Sequence, residues 1–509
     1  MAQPLTPARA GLAAALVVLA GGALTLNHML VGVFYDDGLY AGIAYALSHG
    51  QGYVHPNLPG HPAVVHYPPV YPLLLAPLFG TLSVQAAGFA AKVLNVLCAA
   101  VGAGLIAAHA ARAQLLGPGG EAPRWLGAAL VVAAAIALPM LTVLSVLFSE
   151  PLFGLLLAVA VILADRPPPF LSPDRATLLA GVAAALSLLT RSIGVAAGAG
   201  IVLYLLVVRR APCRRAALAG APVFIAGLAW GLWVLRHRGG IDPEMATDYG
   251  SYFEAVREAG PRAVWQSLGD LPRPLADLTL RWLPGAALTT LFGIAALLML
   301  LYGIALVVRR SSIGFTLVGY LAILAVWPFP ADRFIWAVLP WLALAWAAAA
   351  MALWQRVDLR RLRPAVVLVA AAVVAGYVQL EVRGLLGGWW RGAPALVSNG
   401  ASEMLPALEA LPPNAVLAAD FEPLFWLHTG RLSVPFYTHG YRGRDGAILA
   451  PARQRAYLER QGATYVMISG YGAESARELD ALLGAYPGWL AMVKRWRGGR
   501  VLFQVNPGH

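Results

Sequence analysis

The sequence predicts an α-helical protein that crosses a membrane many times and ends in a small α/β domain. Of its 509 residues, 59% are hydrophobic and only 12% are charged, which is about half the charged fraction usual in soluble proteins. Apolar stretches of roughly 20 residues recur through the first three quarters of the chain, and each can cross a hydrocarbon core of about 30 Å. Beyond about residue 384 the pattern changes to short alternating strands and helices.

The membrane part is predicted to occupy residues 1–383 and to contain about eleven transmembrane helices. The first apolar run follows Arg9 and is too long for the apolar region of a signal peptide, so we expect it to be a retained helix. The candidate spans are residues 10–33, 85–112, 125–147, 149–165, 175–190, 192–208, 215–236, 286–308, 312–328, 334–354 and 363–382.

The loops between these spans alternate in charge, which predicts the orientation of the chain. The loop at 34–84 contains no Lys or Arg. By the positive-inside rule, the arginine-bearing loops are cytoplasmic and the 34–84 loop is outside. The arginine-bearing loops contain Arg9, Arg112 with Arg124, Arg166 with Arg175, RRAPCRR at 209–215, Arg309 with Arg310, and RVDLRRLR at 356–363.

Two further segments are expected on the outer side. An odd number of spans places residues 384–509 outside, where short strand patterns alternate with helical stretches at 451–461 and 473–485. The insertion at 237–285 contains Trp265, Trp282 and many polar residues, which favours short helices at the membrane surface over a separate domain.

Composition and spacing argue against several other functions. The net charge of +12 comes mainly from arginines in short loops between apolar runs, so we expect no nucleic-acid partner. Cys98 and Cys213 fall in or beside separate apolar segments, so no disulfide framework is expected. His55, His61 and His66 have spacings that match no helical metal-ligand pattern. No cofactor or bound metal is predicted, and nothing in the sequence supports a requirement for a divalent cation.

The charges predicted within or beside the spans gather near the outer ends of the helices. Such charges are costly in a membrane, so each one needs a partner or a function. Taken singly, each has a structural explanation: a solvated helix end for either aspartate, a helix-bridging ion pair for Glu150 with Arg191, an anchor at the lipid headgroups, or a snorkelling lysine. Their concentration on one side favours a functional site. The residues are Asp36, Asp37, Lys92, Glu150, Arg191 and Arg333.

These residue types suit the transfer of a group from a lipid phosphate. Arginine and lysine hold phosphate oxygens, with arginine able to make bidentate contacts. A nearby carboxylate can act as general base toward a hydroxyl group. Because a phosphate leaving group needs charge stabilisation more than protonation, cations can replace a catalytic acid. Direct displacement with a single base would invert the reacting carbon.

Several segments, in this order, resemble the membrane-embedded glycosyltransferases of the GT-C superfamily. The resemblance covers roughly residues 10–355, and the bacterial aminoarabinose transferases of lipid A and the protein O-mannosyltransferases are the most similar members. The segments that carry it are DDGLYAGIAYALSHGQGY, HYPPVYPLLLAPLFG, SEPLF, LLTRSIG and DRFIWAVLPWLALAWA.

The resemblance implies an inverting transfer of a sugar from a polyprenyl-phosphate donor to a hydroxyl acceptor on a lipid, glycan or protein. It implies that Asp36 is the catalytic base and that Asp37 supports it. Tyr67 stands where many relatives carry the lysine of a Lys–Pro–Pro motif, which leaves His66 or Lys92 to take over its contact with phosphate. The residues expected to bind substrate are Tyr40, His66, Tyr67, Lys92, Glu150, Arg191 and Arg333.

Two alternatives to this function stay open. A glycolipid transporter or flippase would be expected to show charges near the bilayer midplane and two repeated halves, neither of which we find. An enzyme like an O-antigen ligase would use a lipid diphosphate donor. The scarcity of lysine among 37 basic residues indicates a GC-rich bacterium, hence an inner membrane with the site and the C-terminal domain facing the periplasm.

Overall fold

The computed structural model describes residues 6–117, 123–277, 285–327, 329–356, 363–437, 448–470 and 473–506. The chain is mainly helical up to residue 409 and forms a small sheet after it. The helices before the insertion are α1 (Pro7–Ala23), α2 (Asp36–Ser48), α3 (Val70–Thr81), α4 (Val84–Arg112), α5 (Arg124–Ala135), α6 (Leu138–Ser145), α7 (Glu150–Asp165), α8 (Pro173–Thr190), α9 (Val195–Leu203) and α10 (Cys213–His237).

The insertion forms helices of different lengths, and further helices follow it. The helices of the insertion are α11 (Ala246–Tyr249), α12 (Tyr252–Asp270) and α13 (Arg273–Asp277), of which α11 and α13 are short, as the sequence predicts. The helices that follow are α14 (Ala286–Val307), α15 (Ile313–Ala325), α16 (Asp332–Ala337), α17 (Leu339–Arg356), α18 (Arg363–Gly387) and α19 (Trp389–Glu409).

Fewer helices meet a strict length criterion for spanning than the sequence predicts. Among the described residues, four helical stretches are long and apolar enough to cross a bilayer, or five if α5 and α6, bent by 54°, form one span. Shorter apolar helices such as α1, α15 and α17 accompany them. The chain is therefore a multi-pass membrane protein, but the predicted number of about eleven spans is not confirmed.

The first helix ends ten residues earlier than predicted, which changes the setting of the two adjacent aspartates. The predicted span is 10–33, whereas α1 ends at Ala23. Beyond it, Asn27 donates to the Ser145 carbonyl at 2.8 Å and accepts from Lys92 Nζ at 2.8 Å. These bonds hold the chain in a non-helical path. Asp36 and Asp37 consequently begin α2 rather than follow the end of a transmembrane helix.

Small residues let α1 and α4 approach closely. Gly11 of α1 faces Gly104 of α4, and a β-carbon placed on Gly11 would lie 2.7 Å from the Gly104 carbonyl oxygen. Such contacts between small side chains are a common means of helix association in membranes. Thr6 and Ser83 accept backbone N–H groups at the starts of these two helices, at 3.3 and 3.4 Å, which satisfies otherwise unpaired donors.

The C-terminal sheet has five strands in the order β2-β1-β3-β5-β4. The strands β1 to β3 are parallel, and β5 pairs antiparallel with β3 and β4. The sequence therefore predicts the α/β character of this region correctly. The strands are β1 (Val416–Ala419), β2 (Leu432–Pro435), β3 (Tyr465–Ile468), β4 (Leu490–Arg495) and β5 (Val501–Val505), with helices α20 (Glu422–Thr429), α21 (Pro451–Arg460) and α22 (Ala473–Ala485).

The expectation that all buried charges lie at one end of the helices is wrong. His109, near the end of α4, lies 3.1 Å from Asp165 at the end of α7, and both side chains are buried. Lys92 and His109 are 17 positions apart in the same helix, or about 25 Å along its axis. Asp165 also accepts from the Ser311 hydroxyl and, at 2.9 Å, from the Ser312 backbone. This second polar group ties three helices together at the opposite end.

Candidate active site

A cavity of about 450 Å³ lies where the start of α2, the segment before α3, the segment after α8, the insertion and the start of α16 meet. Four of the charged residues at its wall are Asp36, Arg191, Asp248 and Arg333. The remaining lining residues, most of them aromatic or apolar, are Phe34, Tyr40, His66, Tyr67, Pro68, Thr190, Ser192, Ile193, Tyr252, Trp327, Phe329, Pro330, Asp332, Phe334 and Trp336.

Asp36 is held at the cavity wall by two donors. Arg333 Nη2 donates to its Oδ2, and the Tyr67 hydroxyl donates to its Oδ1 at 2.8 Å. Burial alone would favour the neutral acid, but the Arg333 charge and the hydrogen bonds from Arg333 and Tyr67 outweigh it. The pKa of Asp36 therefore lies below its usual value. Asp36 is a carboxylate that stays ionised at neutral pH.

Asp37 faces away from the cavity and organises the backbone before α2. Its two oxygens accept the backbone N–H groups of Gly32 and Phe34, at 2.9 and 2.8 Å. The side chain is 1% exposed, and burial raises its pKa to about 6 despite these two hydrogen bonds. Asp37 thus holds the turn that precedes its neighbour Asp36.

Glu150 joins the two arginines of the cavity. It begins α7, is buried, and lies 2.9 Å from Arg191 Nη1 and 2.8 Å from Arg333 Nε. Together with Asp36 these residues form a cluster of two carboxylates and two guanidinium groups, called the charge cluster below. Its formal charges sum to zero: Glu150 contacts both arginines, and Asp36, whose side chain is 19% exposed, contacts Arg333. The structure therefore brings together four of the predicted charged residues.

Tyr40 and His66 also lie at the cavity wall. The Tyr40 hydroxyl lies 2.9 Å from the Ser149 Oγ. His66 Nδ1 lies 2.8 Å from the Gly250 carbonyl, which requires this nitrogen to donate. Burial lowers the pKa of His66 to about 4, so the ring is neutral at pH 7. A neutral ring does not supply the positive charge expected from a lysine at position 67.

Lys92 does not line the cavity. Its side chain is 2% exposed, and Nζ lies 2.8 Å from the Asn27 side-chain oxygen and 3.4 Å from the Asn27 and Met29 carbonyls. These contacts fix the chain between α1 and α2. Lys92 therefore stabilises the segment that leads into α2 and does not form part of the cavity wall.

The insertion supplies cavity residues that sequence reasoning missed. Asp248 lies at the wall, and no hydrogen bond or ion pair to its carboxylate is found among the described residues. Burial raises its pKa to about 7, and the nearby charge of Asp36 adds to the effect. Tyr252 packs between His66 and Trp327, with ring centroids 4.2 and 4.8 Å away. No sequence signal separated these residues from the other polar residues of the insertion.

The aromatic wall of the cavity continues into the segment before α16. Trp327 packs against Phe329 and Phe334 at centroid distances of 5.9 and 5.4 Å. The guanidinium of Arg191 lies over the Phe334 ring, 4.7 Å from its centroid. Within the described residues, no three His, Cys, Asp or Glu side chains converge closely enough to hold a metal ion.

Known structures share this architecture, although comparisons of sequence alone find nothing. No family model and no curated protein matches the chain. ArnT from Cupriavidus metallidurans in its apo state superimposes with a TM-score of 0.52 at 16% identity, over 96% of this chain and 97% of ArnT. The apo oligosaccharyltransferase of Archaeoglobus fulgidus gives 0.55 at 12% identity, over 98% of this chain and 74% of its own.

Both of these proteins are GT-C glycosyltransferases. This chain has the GT-C fold. The resemblance inferred from the segments between residues 10 and 355 is thereby confirmed for the fold. The Archaeoglobus enzyme, AglB, also matches when in complex with an inhibitory peptide and a dolichol-phosphate, with a TM-score of 0.50 at 11% identity over 98% of this chain and 74% of that one. At these sequence identities the similarity establishes the fold alone. The roles of individual residues must be argued from the geometry of the site.

Proposed function

We propose that this protein is an inverting glycosyltransferase that moves a sugar from a polyprenyl-phosphate donor to a hydroxyl acceptor on the outer face of the membrane. The observation that carries the proposal is the ion pair of Asp36 with Arg333 at the wall of a cavity that Arg191 also lines, with buried Glu150 bridging the two arginines. This arrangement combines a base with cations suited to a phosphate. The likeness to glycosyltransferases of the GT-C fold supports it.

In the proposed reaction, Asp36 takes the proton of the acceptor hydroxyl as that oxygen attacks the anomeric carbon of the sugar. The bond from this carbon to the phosphate oxygen breaks, and its electron pair leaves with the phosphate. Arg333 and Arg191 stabilise the negative charge on the leaving group. A single displacement of this kind inverts the anomeric carbon.

Donor binding is proposed to exchange ion pairs within the charge cluster. In the free protein Arg333 is shared between Asp36 and Glu150. A phosphate beside Arg333 competes with Asp36 for the guanidinium, which weakens the charge that holds the pKa of Asp36 low. The base thereby becomes stronger when the donor is bound. The carboxylate of Asp248, at the wall of the same cavity, offers a second acceptor for hydroxyl groups of either substrate.

The aromatic side chains give the cavity a surface suited to the rest of the donor. Tyr252, Trp327 and Phe329 form a continuous wall next to the charged residues. Aromatic rings pack well against the apolar faces of sugars and against isoprene units. The arginines lie next to this wall. In the donor, the phosphate likewise lies next to the sugar and the polyprenyl chain that it joins.

The test is release of polyprenyl phosphate by the purified protein in lipid nanodiscs. A panel of polyprenyl-phosphate sugars is incubated with acceptors of each class, and polyprenyl-diphosphate sugars form a separate arm. Asp36→Asn is expected to lower the rate by about 100-fold or more, the usual contribution of a general base. Asp174→Asn, at an exposed ion pair with Arg214 and Arg215, is the matched control.

Full activity of folded Asp36→Asn protein would exclude Asp36 as the base. Release from the diphosphate arm alone would identify an enzyme resembling the O-antigen ligases. Translocation of a glycolipid in liposomes without any release would establish the transporter instead.

A further inference from the structure

One carboxylate of the C-terminal domain binds the immediate neighbours of two cavity aspartates, Asp36 and Asp248. Glu422 Oε1 accepts the Tyr35 hydroxyl at 2.5 Å and the Tyr249 hydroxyl at 2.8 Å. Tyr35 precedes Asp36, and Tyr249 follows Asp248. Two segments that are more than 200 residues apart in sequence therefore share one hydrogen-bond acceptor.

The backbone conformation of Tyr35 needs contacts of this kind to hold it. Tyr35 has φ of +70°, a value that bulky residues rarely adopt, and it is the residue directly before the first turn of α2. Such a conformation persists only where surrounding contacts enforce it. The hydroxyl bond to Glu422 is one such contact, and the Asp37 bonds to Gly32 and Phe34 are others.

The C-terminal domain is closely fitted to the same turn. A β-carbon placed on Gly32 would lie 2.7 Å from the Leu424 Cα, so the turn and α20 touch through backbone. His428 Nε2 lies 3.1 Å from the Val31 carbonyl at the other end of α20. Glu422 is the first residue of α20, which follows β1 closely in the chain. Glu422 therefore belongs to the C-terminal domain.

The insertion is held by the same domain. Arg453 and Arg460 of α21 pair with Glu244 and Asp242, at 2.5 and 3.2 Å, just before α11. Asn57 Nδ2 donates to the Tyr249 hydroxyl at 2.8 Å, which leaves that hydroxyl oriented to donate to Glu422. The approach of Asp248 to the cavity thus also relies on contacts with the C-terminal domain.

We propose that Glu422 is a positioning residue through which the C-terminal domain sets the places of Asp36 and Asp248 in the cavity. The inference rests on the proposed function, because it assigns the domain a part in arranging the two carboxylates. Glu422 acts only through Tyr35 and Tyr249 and touches no substrate. Loss of its oxygen frees both tyrosine hydroxyls, so the turn before Asp36 and the turn after Asp248 relax together.

The protonation of Glu422 determines which variants are informative. Burial raises the pKa of Glu422 to about 8, although both tyrosine hydroxyls donate to it. At neutral pH the side chain is therefore largely a neutral acid, and glutamine preserves its shape and its acceptor oxygen. Glu422→Gln should act like wild type, whereas Glu422→Ala removes the acceptor.

The experiment compares Glu422→Ala, Glu422→Gln and Glu478→Ala in the full-length protein. Glu478 is an equally buried carboxylate of the same domain that bonds to Leu449 and Gln454 and makes no contact with the cavity. Glu422→Ala is expected to lower kcat about tenfold or more with little change in KM for the donor. Glu422→Gln should remain within about threefold of wild type, as should Glu478→Ala at temperatures below its melting transition.

A second measurement, amide hydrogen exchange, does not depend on activity. Glu422→Ala should accelerate exchange in both the 32–38 and 246–252 peptides, and Glu478→Ala in neither. If the wild type transfers no sugar while this exchange pattern appears, the proposed function fails and the coupling stands. The proposal would be overturned if Glu422→Ala kept the kcat and the amide exchange rates of the wild type. It would also be overturned if Glu478→Ala lowered kcat as much as Glu422→Ala does.

Discussion

Asp36 and Arg333 form an ion pair at the wall of the cavity, and the same guanidinium contacts the buried Glu150. The pair connects the first residue of α2 with the second residue of α16, which lie 297 positions apart. It fixes the protonation of Asp36 and occupies the cation that a donor phosphate would need. Both consequences can be measured.

Arg333→Ala is expected to shift the acidic limb of the pH profile to higher pH. Burial raises the pKa of Asp36, and the Arg333 charge is the largest of the effects that oppose it. Without that charge the pKa rises, and since the base must be unprotonated, activity should need a higher pH. Measurement of kcat/KM across the acidic and neutral range tests this. An unchanged profile in a variant that retains activity would contradict it.

Tyr67→Phe removes the second donor to Asp36, an uncharged one at 2.8 Å. A hydrogen bond to a carboxylate contributes about 1.5–3 kcal/mol, so we expect kcat/KM to fall by about tenfold to 100-fold. The pH profile should move in the same direction as in Arg333→Ala, but less. Tyr45→Phe is the matched control, because this tyrosine of α2 packs against His49 and Trp426 through its ring. Equal losses in both variants would argue against a specific role for the Tyr67 hydroxyl.

The membrane character and the gathering of charges could be predicted from the sequence because both leave local signals. Apolar length and arginine bias are properties of short windows, and a charge beside an apolar run stands out in any window. Asp36, Glu150, Arg191 and Arg333 were found in this way, and the structure brings them together. Their mutual pairing could not be predicted, since it depends on helix rotation and tilt.

There is a physical reason why the role of polar residues outside the apolar runs could not be predicted. Asp248 and Glu422 lie in segments already rich in polar residues, where one more carboxylate carries no signal. Their burial arises only when the insertion and the C-terminal domain pack on the 34–84 loop. Lys92 illustrates the reverse case, since a conspicuous charge in an apolar helix bonds to the chain at Asn27.

Asp248→Asn is expected to stabilise the protein above neutral pH. Burial raises the pKa of Asp248 to about 7 in the fold, against about 4 in an unfolded chain. Between these values the folded state holds a proton that the unfolded state has released, so stability falls as pH rises toward 7. Asparagine cannot ionise and avoids this loss.

Melting temperatures measured near pH 4 and near pH 8 check this prediction. The variant should exceed the wild type at the higher pH and match it at the lower. Asp36→Asn provides the opposite case. Because the pKa of Asp36 is lowered in the fold, its ionised carboxylate contributes stability above about pH 4, and this contribution is lost as pH falls. A difference of the same size at both pH values for Asp248→Asn would contradict a titrating carboxylate at this position.

Glu150→Gln should weaken the fold and at the same time strengthen phosphate binding. The Glu150 side chain is fully buried between Arg191 and Arg333, and removal of one partner from a buried ion pair costs on the order of 3 kcal/mol. The charge cluster then carries one excess positive charge. A bound phosphate would supply the negative charge that the substitution removed, so polyprenyl phosphate should raise the melting temperature of Glu150→Gln more than that of the wild type. Asp174→Asn, at an exposed ion pair, should change neither value, and an equal ligand-induced rise in all three proteins would exclude the two arginines as the phosphate site.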